Sequence, residues 1–316
     1  MLFRSYNGGL MNLQQAVDRA ANKDPTGEQS TRDNAQSARL STRQLSATFA
    51  PDPEGHIEQR TEELLLQPIT YLDNLAGGDL RAGGAAFCNV FTPLTNKFPF
   101  NATAQAEVTL DELGGILRPQ SGRLWTFYES TLKSVMQCPN GDCSPQGGTP
   151  LNPAFVRFIG QMMKFSRAVY GESGQEPNLR YTLRAQATDQ VDEFAVGVNG
   201  VVAQLKGGAS RQFAWPGAGT ANFRLDLKVA GGSQLGAQSF DGPWAVFRFF
   251  ADANRNTNSG NGYTFSWVVT SGRSQQPQMV KGRPLTYEFL VDTGGGPAVF
   301  SKDFLSTLRC VAPVTR

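Results

Sequence analysis

Residues 191–205 read VDEFAVGVNGVVAQL. Phe194, Val196 and Val198 alternate with small or polar neighbours, and Val201, Ala203 and Leu205 alternate again after Asn199-Gly200. Period 2 puts each apolar set on one face of a pleated strand. Asn-Gly supplies the two positive-φ residues of a tight reversal, so the stretch predicts a two-residue β-hairpin. The same period continues on both sides. It marks Leu179, Tyr181 and Leu183, then Phe223, Leu225, Leu227 and Val229, then Tyr263, Phe265, Trp267 and Val269, then Leu285, Tyr287, Phe289 and Val291. Several short alternating strands separated by Gly-rich turns predict an antiparallel sandwich or barrel over 178–316. One interruption, GPWAVFRFFADANR at 242–255, has a helical pattern, with Trp244, Phe247, Phe250 and Ala251 on one face and Asp241 placed as a cap.

Upstream the period lengthens to that of a helix. Leu2, Tyr6, Leu10, Leu13 and Val17 recur at spacings of three and four. After a polar stretch at 22–34, Ala38, Leu45 and Phe49 continue a weaker helical pattern, which Pro51 and Pro53 break. Ile57, Thr61, Leu64 and Leu65 form a further face, and AGGDLRAGG at 76–84 reads as a flexible connection. RLWTFYESTLKSVM, from Arg123, is helical. QCPNGDCSPQGGTPL at 137–151 has almost every loop signal, and Asn152-Pro153 reads as an N-cap with Pro at the first helical position. Phe155, Ile159, Met162, Met163 and Val169 follow on a helix that Gly171 ends, with the two methionines as core filler. The expected class is therefore α+β and multidomain. A helical domain spans 1–136, a loop or linker 137–151, a helix leading into the sandwich 152–177, and a β-sandwich domain 178–316.

Composition narrows function by exclusion. The 316 residues carry 29 Lys and Arg against 27 Asp and Glu, so a protein held to nucleic acid by phosphate contacts is disfavoured. The acidic residues lean to 1–150 and the basic ones to 151–316. One His excludes any site that needs two imidazoles. No stretch approaches the roughly 18–20 apolar residues of a membrane span, and the N-terminus has no apolar signal core. The expectation is a soluble chain that either stays in the cytoplasm or is the tail of a longer protein.

Candidate chemistry is sparse. There is no G-x-S-x-G elbow, and His56 sits in DPEGHIEQ at an expected helix start, where a solvated side chain outweighs a catalytic base. Phosphate-binding loops and metal motifs are missing. Asp111-Glu112 and Glu62-Glu63 are adjacent in sequence, so neither pair faces itself across a helix. The sequence thus points to no catalytic, cofactor-binding or metal site. Cys138 and Cys143 flank Pro-Asn-Gly-Asp, a turn that can bring them within disulfide range. Four cysteines can make two disulfides in an oxidising compartment or remain four reduced thiols, and spacing does not fix the pairing with Cys88 and Cys310. FAWPG at 213–217, GPWAVFRFF at 242–250 and NKFPF at 96–100 are core anchors and turn formers first. Exposed on a surface, they would suit a partner interface or a sugar platform.

These segments, in this order, resemble the C-terminal region of the IcmF/TssM family of type VI secretion. YNGGLMNLQQAVDRA and PEGHIEQRTEELLLQPI are similar to its helical segments, and Cys88 followed by Phe98-Pro99-Phe100 is similar to its cysteine and Arg-Tyr-Pro-Phe element. Here Lys97 and Phe98 stand in place of Arg-Tyr. VTLDELGGIL with GRLWTFYESTL resembles the family's acidic segment and the Gly turn before a helix. Trp215-Pro216-Gly217 matches its W-P-G, and Gly242-Pro243-Trp244-Ala245 its G-P-W-A with the following F-R. Leu308-Arg309-Cys310 is similar to its terminal F-R-C-P, with Leu308 for Phe and Val311 for Pro.

The resemblance implies a helical domain followed by a β-sandwich in the periplasm, in a structural subunit without enzymatic activity or cofactor. Implied partners are an outer-membrane lipoprotein (TssJ-like), an inner-membrane subunit (TssL-like) through a region upstream of this one, and further copies of the chain. A periplasmic location also favours a Cys138–Cys143 disulfide. Family members are usually longer, with transmembrane helices and sometimes a nucleotide-binding loop, so membrane insertion and nucleotide hydrolysis do not carry over to these residues. The alternatives are a carbohydrate- or peptidoglycan-binding sandwich and a carboxylate-based hydrolase.

Overall fold

The computed structural model describes residues 2–22, 24, 26–49, 78–146, 150–258, 262–271 and 276–315. The chain divides into two compact units, Met1–Ala82 and Gly83–Arg316. The division falls inside the region 1–136 expected as one helical domain. His56, Glu62-Glu63 and the face expected over 57–65 lie outside the described residues.

In the first unit α1 (Leu2–Ala21) packs on α2 (Gly27–Phe49). Leu13 is buried against Ala35 and Ala38, with Leu10 and Val17 beside it, so the apolar stripe of α1 serves the contact. The helix α2 begins well before Ala38, inside the stretch read as polar. Its buried face is made of the small residues Thr31, Ala35 and Ala38 at spacings of four and three, and the Thr31 hydroxyl returns a hydrogen bond to the Gly27 carbonyl at 2.8 Å. Small side chains let two helices approach closely without giving a strong hydrophobic signal. Between them Asp24 Oδ1 accepts from the Thr26 amide at 2.9 Å and its hydroxyl at 2.8 Å, which fixes the turn.

A third helix, α3, covers 78–91, so residues 78–84 are helical where a flexible connection was expected. Gly83 and Gly84 serve close packing. A Cβ on Gly83 would press on the Phe127 ring at 2.9 Å, and one on Gly84 would collide with Val314. After a 3-10 turn (Thr92–Asn96), α4 (Leu110–Leu117) begins at a capping box in which Thr109 and Glu112 satisfy one another's amides. α5 (Arg123–Phe127) widens into a π turn over Tyr128–Leu132, so the helix expected to run on from Arg123 stops early.

The segment expected as a linker, 137–151, belongs to this same unit. β1 (Met136–Gln137) and β2 (Ser144–Pro145) pair there around a tight turn. α6 (Pro153–Tyr170) has the cap read from the sequence: Asn152 Oδ1 accepts from the Ala154 amide at 2.9 Å, and Gly171 ends the helix at φ 69°. Its buried Phe155 and Phe158 join Phe87, Phe91 and Phe127 in one aromatic cluster, and Met162 and Met163 are core.

The strands follow as β3 (Leu179–Ala185), β4 (Val191–Val198), β5 (Val201–Leu205), β6 (Ser210–Trp215), β7 (Asn222–Val229) and β8 (Gln234–Asp241). Then come α7 (Ala245–Ala251), β9 (Arg255–Asn258), β10 (Tyr263–Val268), a short ribbon of β11 (Met279–Val280) and β12 (Arg283–Pro284), β13 (Thr286–Asp292) and α8 (Lys302–Thr307). One sheet has the order β6-β3-β13-β10-β9 and the other β5-β4-β7-β8, with every pair antiparallel. The β4–β5 hairpin turns at Asn199 (φ 50°) and Gly200 (φ 83°), with Val198 opposite Val201, as the opening stretch predicts.

Phe194 of one sheet packs on Tyr287 and Phe289 of the other, centroids 6.2 and 5.1 Å away. α7 plugs the sandwich: Phe249 stacks between Phe223 of β7 at 4.0 Å and Trp267 of β10 at 4.4 Å. Its cap position is Trp244, with no side-chain hydrogen bond, so Asp241 does not cap it. The unread strands β6, β8 and β9 all lie at sheet edges and bury little: β9 has no buried residue, and β6 only Phe213 and Trp215.

Candidate functional site

The residues singled out from the sequence converge on one seam between the helical part of the second unit and its sandwich. Phe98 is held in line by two backbone bonds: its amide donates to the Ala106 carbonyl and its carbonyl accepts from the Val108 amide, both at 2.8 Å. That places Glu107 and the Val108 carbonyl toward the sandwich. The Trp244 indole donates to the Val108 carbonyl at 2.6 Å, and the Trp215 indole donates to the Pro243 carbonyl at 2.6 Å. The two indoles lie 4.7 Å apart, and Phe98 meets Trp244 edge-on at 6.4 Å. Phe98, Pro99, Phe100, Trp215 and Trp244 are all buried. A buried indole N–H left without an acceptor costs about 1–3 kcal/mol, and here each N–H finds one on a different segment of the chain.

Arg248 of α7 closes the seam. Its guanidinium carbon sits 4.2 Å from the Phe98 ring centroid, and its Nε meets Glu107 Oε1 at 2.8 Å. Half-buried as they are, the pair holds one orientation of α7 against residues 98–108. Gly242 adopts φ 93°, and Gly217 lies so close to the Asn199 side chain that a Cβ there would collide with it. The W-P-G glycine therefore seats its loop on the β4–β5 turn.

The other singled-out positions lie elsewhere. Cys310 is joined to Cys88 of α3, 222 residues away in sequence, and Arg309 beside it is exposed. The Asn152 amide donates to the Val314 carbonyl at 2.8 Å and its side chain to the Pro313 carbonyl at 3.0 Å, so the tail is strapped to the start of α6. Cys138 and Cys143 are joined across the β1–β2 ribbon. Sequence reasoning missed Glu107, which carries no motif signal and becomes visible only through Arg248.

Of the carboxylates considered for catalysis, Glu62 and Glu63 lie outside the described residues, Asp111 is exposed, and Glu112 is committed to structure. Glu112 accepts from Lys97 Nζ at 2.6 Å and from the Thr109 amide at 2.9 Å, and the Lys97 bond, followed by that amide, holds its carboxyl below the usual range. Asp252, pushed up by burial, accepts from the Gln238 amide at 2.5 Å. Among the described residues no group of three or more His, Cys, Asp or Glu is gathered to hold a metal. Trp215, Trp244 and Trp267 are buried in the core, so they offer no sugar platform.

A helical subdomain and an antiparallel sandwich, sewn together by paired aromatic segments, define a class of structural module. Residues 86–175 match the family described as "Type VI secretion protein IcmF helical domain", and residues 181–277 match "Type VI secretion protein IcmF C2-like domain". Together the two matches span more than half of the chain, which belongs to the IcmF/TssM family and represents its C-terminal region.

Solved structures share the fold. The C-terminal domain of the type VI secretion protein TssM from EAEC is 18% identical, with a TM-score of 0.58 over 75% of this chain and 98% of that one. A chain of a type VI secretion system membrane core complex is 17% identical, with a TM-score of 0.63 over 97% of this chain. A chain of a type VI membrane complex is 18% identical, with a TM-score of 0.58 over 89% of this chain. The present chain spans 60% and 54% of the length of those last two. No curated protein sequence matches it.

Proposed function

We propose that the chain is a non-enzymatic structural subunit of the type VI secretion membrane complex, that it works in the periplasm, and that it binds a TssJ-like outer-membrane lipoprotein. The observation that carries the reading is the succession of the two IcmF domains on one chain, joined by a seam built from the family's own motif residues. A module whose aromatic and charged motif groups are committed to holding two subdomains in register suits a load-bearing part. The two disulfides suit an oxidising compartment. No described helix is long and apolar enough to cross a membrane.

The test is co-purification with the lipoprotein of the same secretion cluster, produced without its lipid anchor. The expected outcome is a co-eluting complex with a Kd between nanomolar and micromolar. No co-elution, together with no surface-plasmon response up to about 100 μM lipoprotein, would overturn the reading.

A further inference from the structure

β6 pairs with β3 on one side and, among the described residues, carries no strand on the other. Between that open edge and the turn end of the β4–β5 hairpin lies a cleft of about 400 Å³. Arg180, Arg211, Phe213, Val198, Asn199 and Val201 line it, and no carboxylate does. Both arginines are exposed, and neither pairs with a carboxylate among the described residues. The Asn199 Nδ2, buried at the cleft's turn end, has no hydrogen-bond partner. Val201 and Val202 of the neighbouring edge strand are 48% and 68% exposed. The opposite edge of the same sheet differs: Asn256 of β9 donates to Ser301 at 2.9 Å and Asp303 at 3.1 Å, so the segment leading into α8 attends that edge.

We propose that this cleft docks an acidic, extended segment of a partner protein as an added strand on β6. An unpaired strand edge offers alternating N–H and C=O groups to any extended chain, and side chains select among them. Two arginines with no carboxylate partner among the described residues, in a lining without acidic residues, select carboxylates through charge-assisted hydrogen bonds. Arg180 stands on the face of the sheet shared with Ala214 and Arg211 on the opposite face shared with Leu183, so the two meet carboxylates on opposite faces of the incoming strand, while Val201 offers apolar surface beside them. The W-P-G glycine shapes the site, since its lack of a Cβ lets Asn199 lie against the 217–219 loop. The proposal does not depend on the identity of the lipoprotein partner.

The probe is a phage-displayed library of random linear twelve-residue peptides, selected against the full chain. The expected result is enrichment of peptides with net negative charge. Synthesised, these bind wild type, lose about tenfold or more in affinity on Arg180→Glu/Arg211→Glu, and slow hydrogen exchange at amides 211–214. A central proline in such a peptide keeps its charge, removes strand pairing, and weakens binding comparably. Arg180→Lys/Arg211→Lys keeps the charge and retains binding, which separates recognition from folding. The proposal is overturned by no enrichment, by neutral or basic peptides, by affinity unchanged in the Glu variant, by a proline peptide that binds equally well, or by exchange protection elsewhere. It is also overturned if an anionic glycan polymer binds the cleft and the acidic peptides do not.

Discussion

The seam around Trp244 and the rim around Arg211 sit in the same compact unit and follow opposite rules. At the seam the aromatic groups are buried and each indole N–H is spent on a carbonyl of another segment. At the rim, among the described residues, the strand edge is unpaired, the guanidinium groups have no carboxylate, and Val201 and Val202 face solvent. The first arrangement stabilises the chain by itself, and the second becomes favourable only when another chain arrives. Motif residues that stand out in a sequence because they are large and aromatic thus mark what holds the molecule together, while the surface open to partners is built from residues that carry little signal.

The largest expected effect tests how far that closure depends on covalent links. Cys88–Cys310 closes a loop of 222 residues, whereas Cys138–Cys143 spans only five. On the chain-entropy account, Cys88→Ser with Cys310→Ser costs about 5 kcal/mol and the Cys138–Cys143 equivalent about 2 kcal/mol. Guanidinium unfolding of the two double variants measures the difference. Equal losses would mean that strapping the tail to α3 is not what keeps the helical side closed.

Next in size comes a direct contrast of seam and rim. Trp244→Ala removes a fully buried indole and leaves the Val108 carbonyl without its donor, so a loss of about 3–5 kcal/mol is expected in urea unfolding. Val202→Ser, on the exposed edge strand, should stay within about 0.5 kcal/mol of wild type. If Trp244→Ala also cost under about 1 kcal/mol, the seam would be a contact surface and not a joint.

The same contrast explains what could be read in advance. Strands buried on one face, such as β4, β10 and β13, announced themselves through Phe194, Trp267 and Phe289. The edge strand β8, QLGAQSFD, did not, because a register shift against β7 between Leu225 and Asp226 sets Leu235 and Phe240 five residues apart and breaks the period. Asn152 and Gly171 were legible as helix ends because their chemistry is local. The start of α2 was hidden because Thr31 and Ala35 pack by being small. The seam was legible as a set of aromatic segments, yet Glu107 and the Val108 carbonyl, which complete it, show only in three dimensions. The rim was illegible for a related reason: Arg180 and Arg211 are scattered surface arginines until the fold places them on one cleft.

The smallest effect lies between the two regimes, at Lys97 of the NKFPF segment. Its ammonium meets Glu112 Oε1 at 2.6 Å, with the two side chains 32% and 36% exposed. Glu112→Gln is informative because glutamine still caps the Thr109 amide, so the substitution removes charge and little else. The Lys97 hydrogen bond, then the Thr109 amide, lower the Glu112 pKa below its ordinary 4.5. A carboxylate whose folded pKa is depressed contributes stability that is fully present above its unfolded value. That contribution is lost as pH falls through the folded value. Wild type should therefore exceed Glu112→Gln by about 0.5 kcal/mol at neutral pH, with the discount that solvent screening imposes on so exposed a pair. The gap should close as the pH falls below about 4 and shrink in added salt. Thermal unfolding of both proteins across that range reads it out. No gap at neutral pH would assign the role of Glu112 to the cap alone, and Lys97 would then belong with the solvated rim and not with the seam that its neighbour Phe98 helps to build.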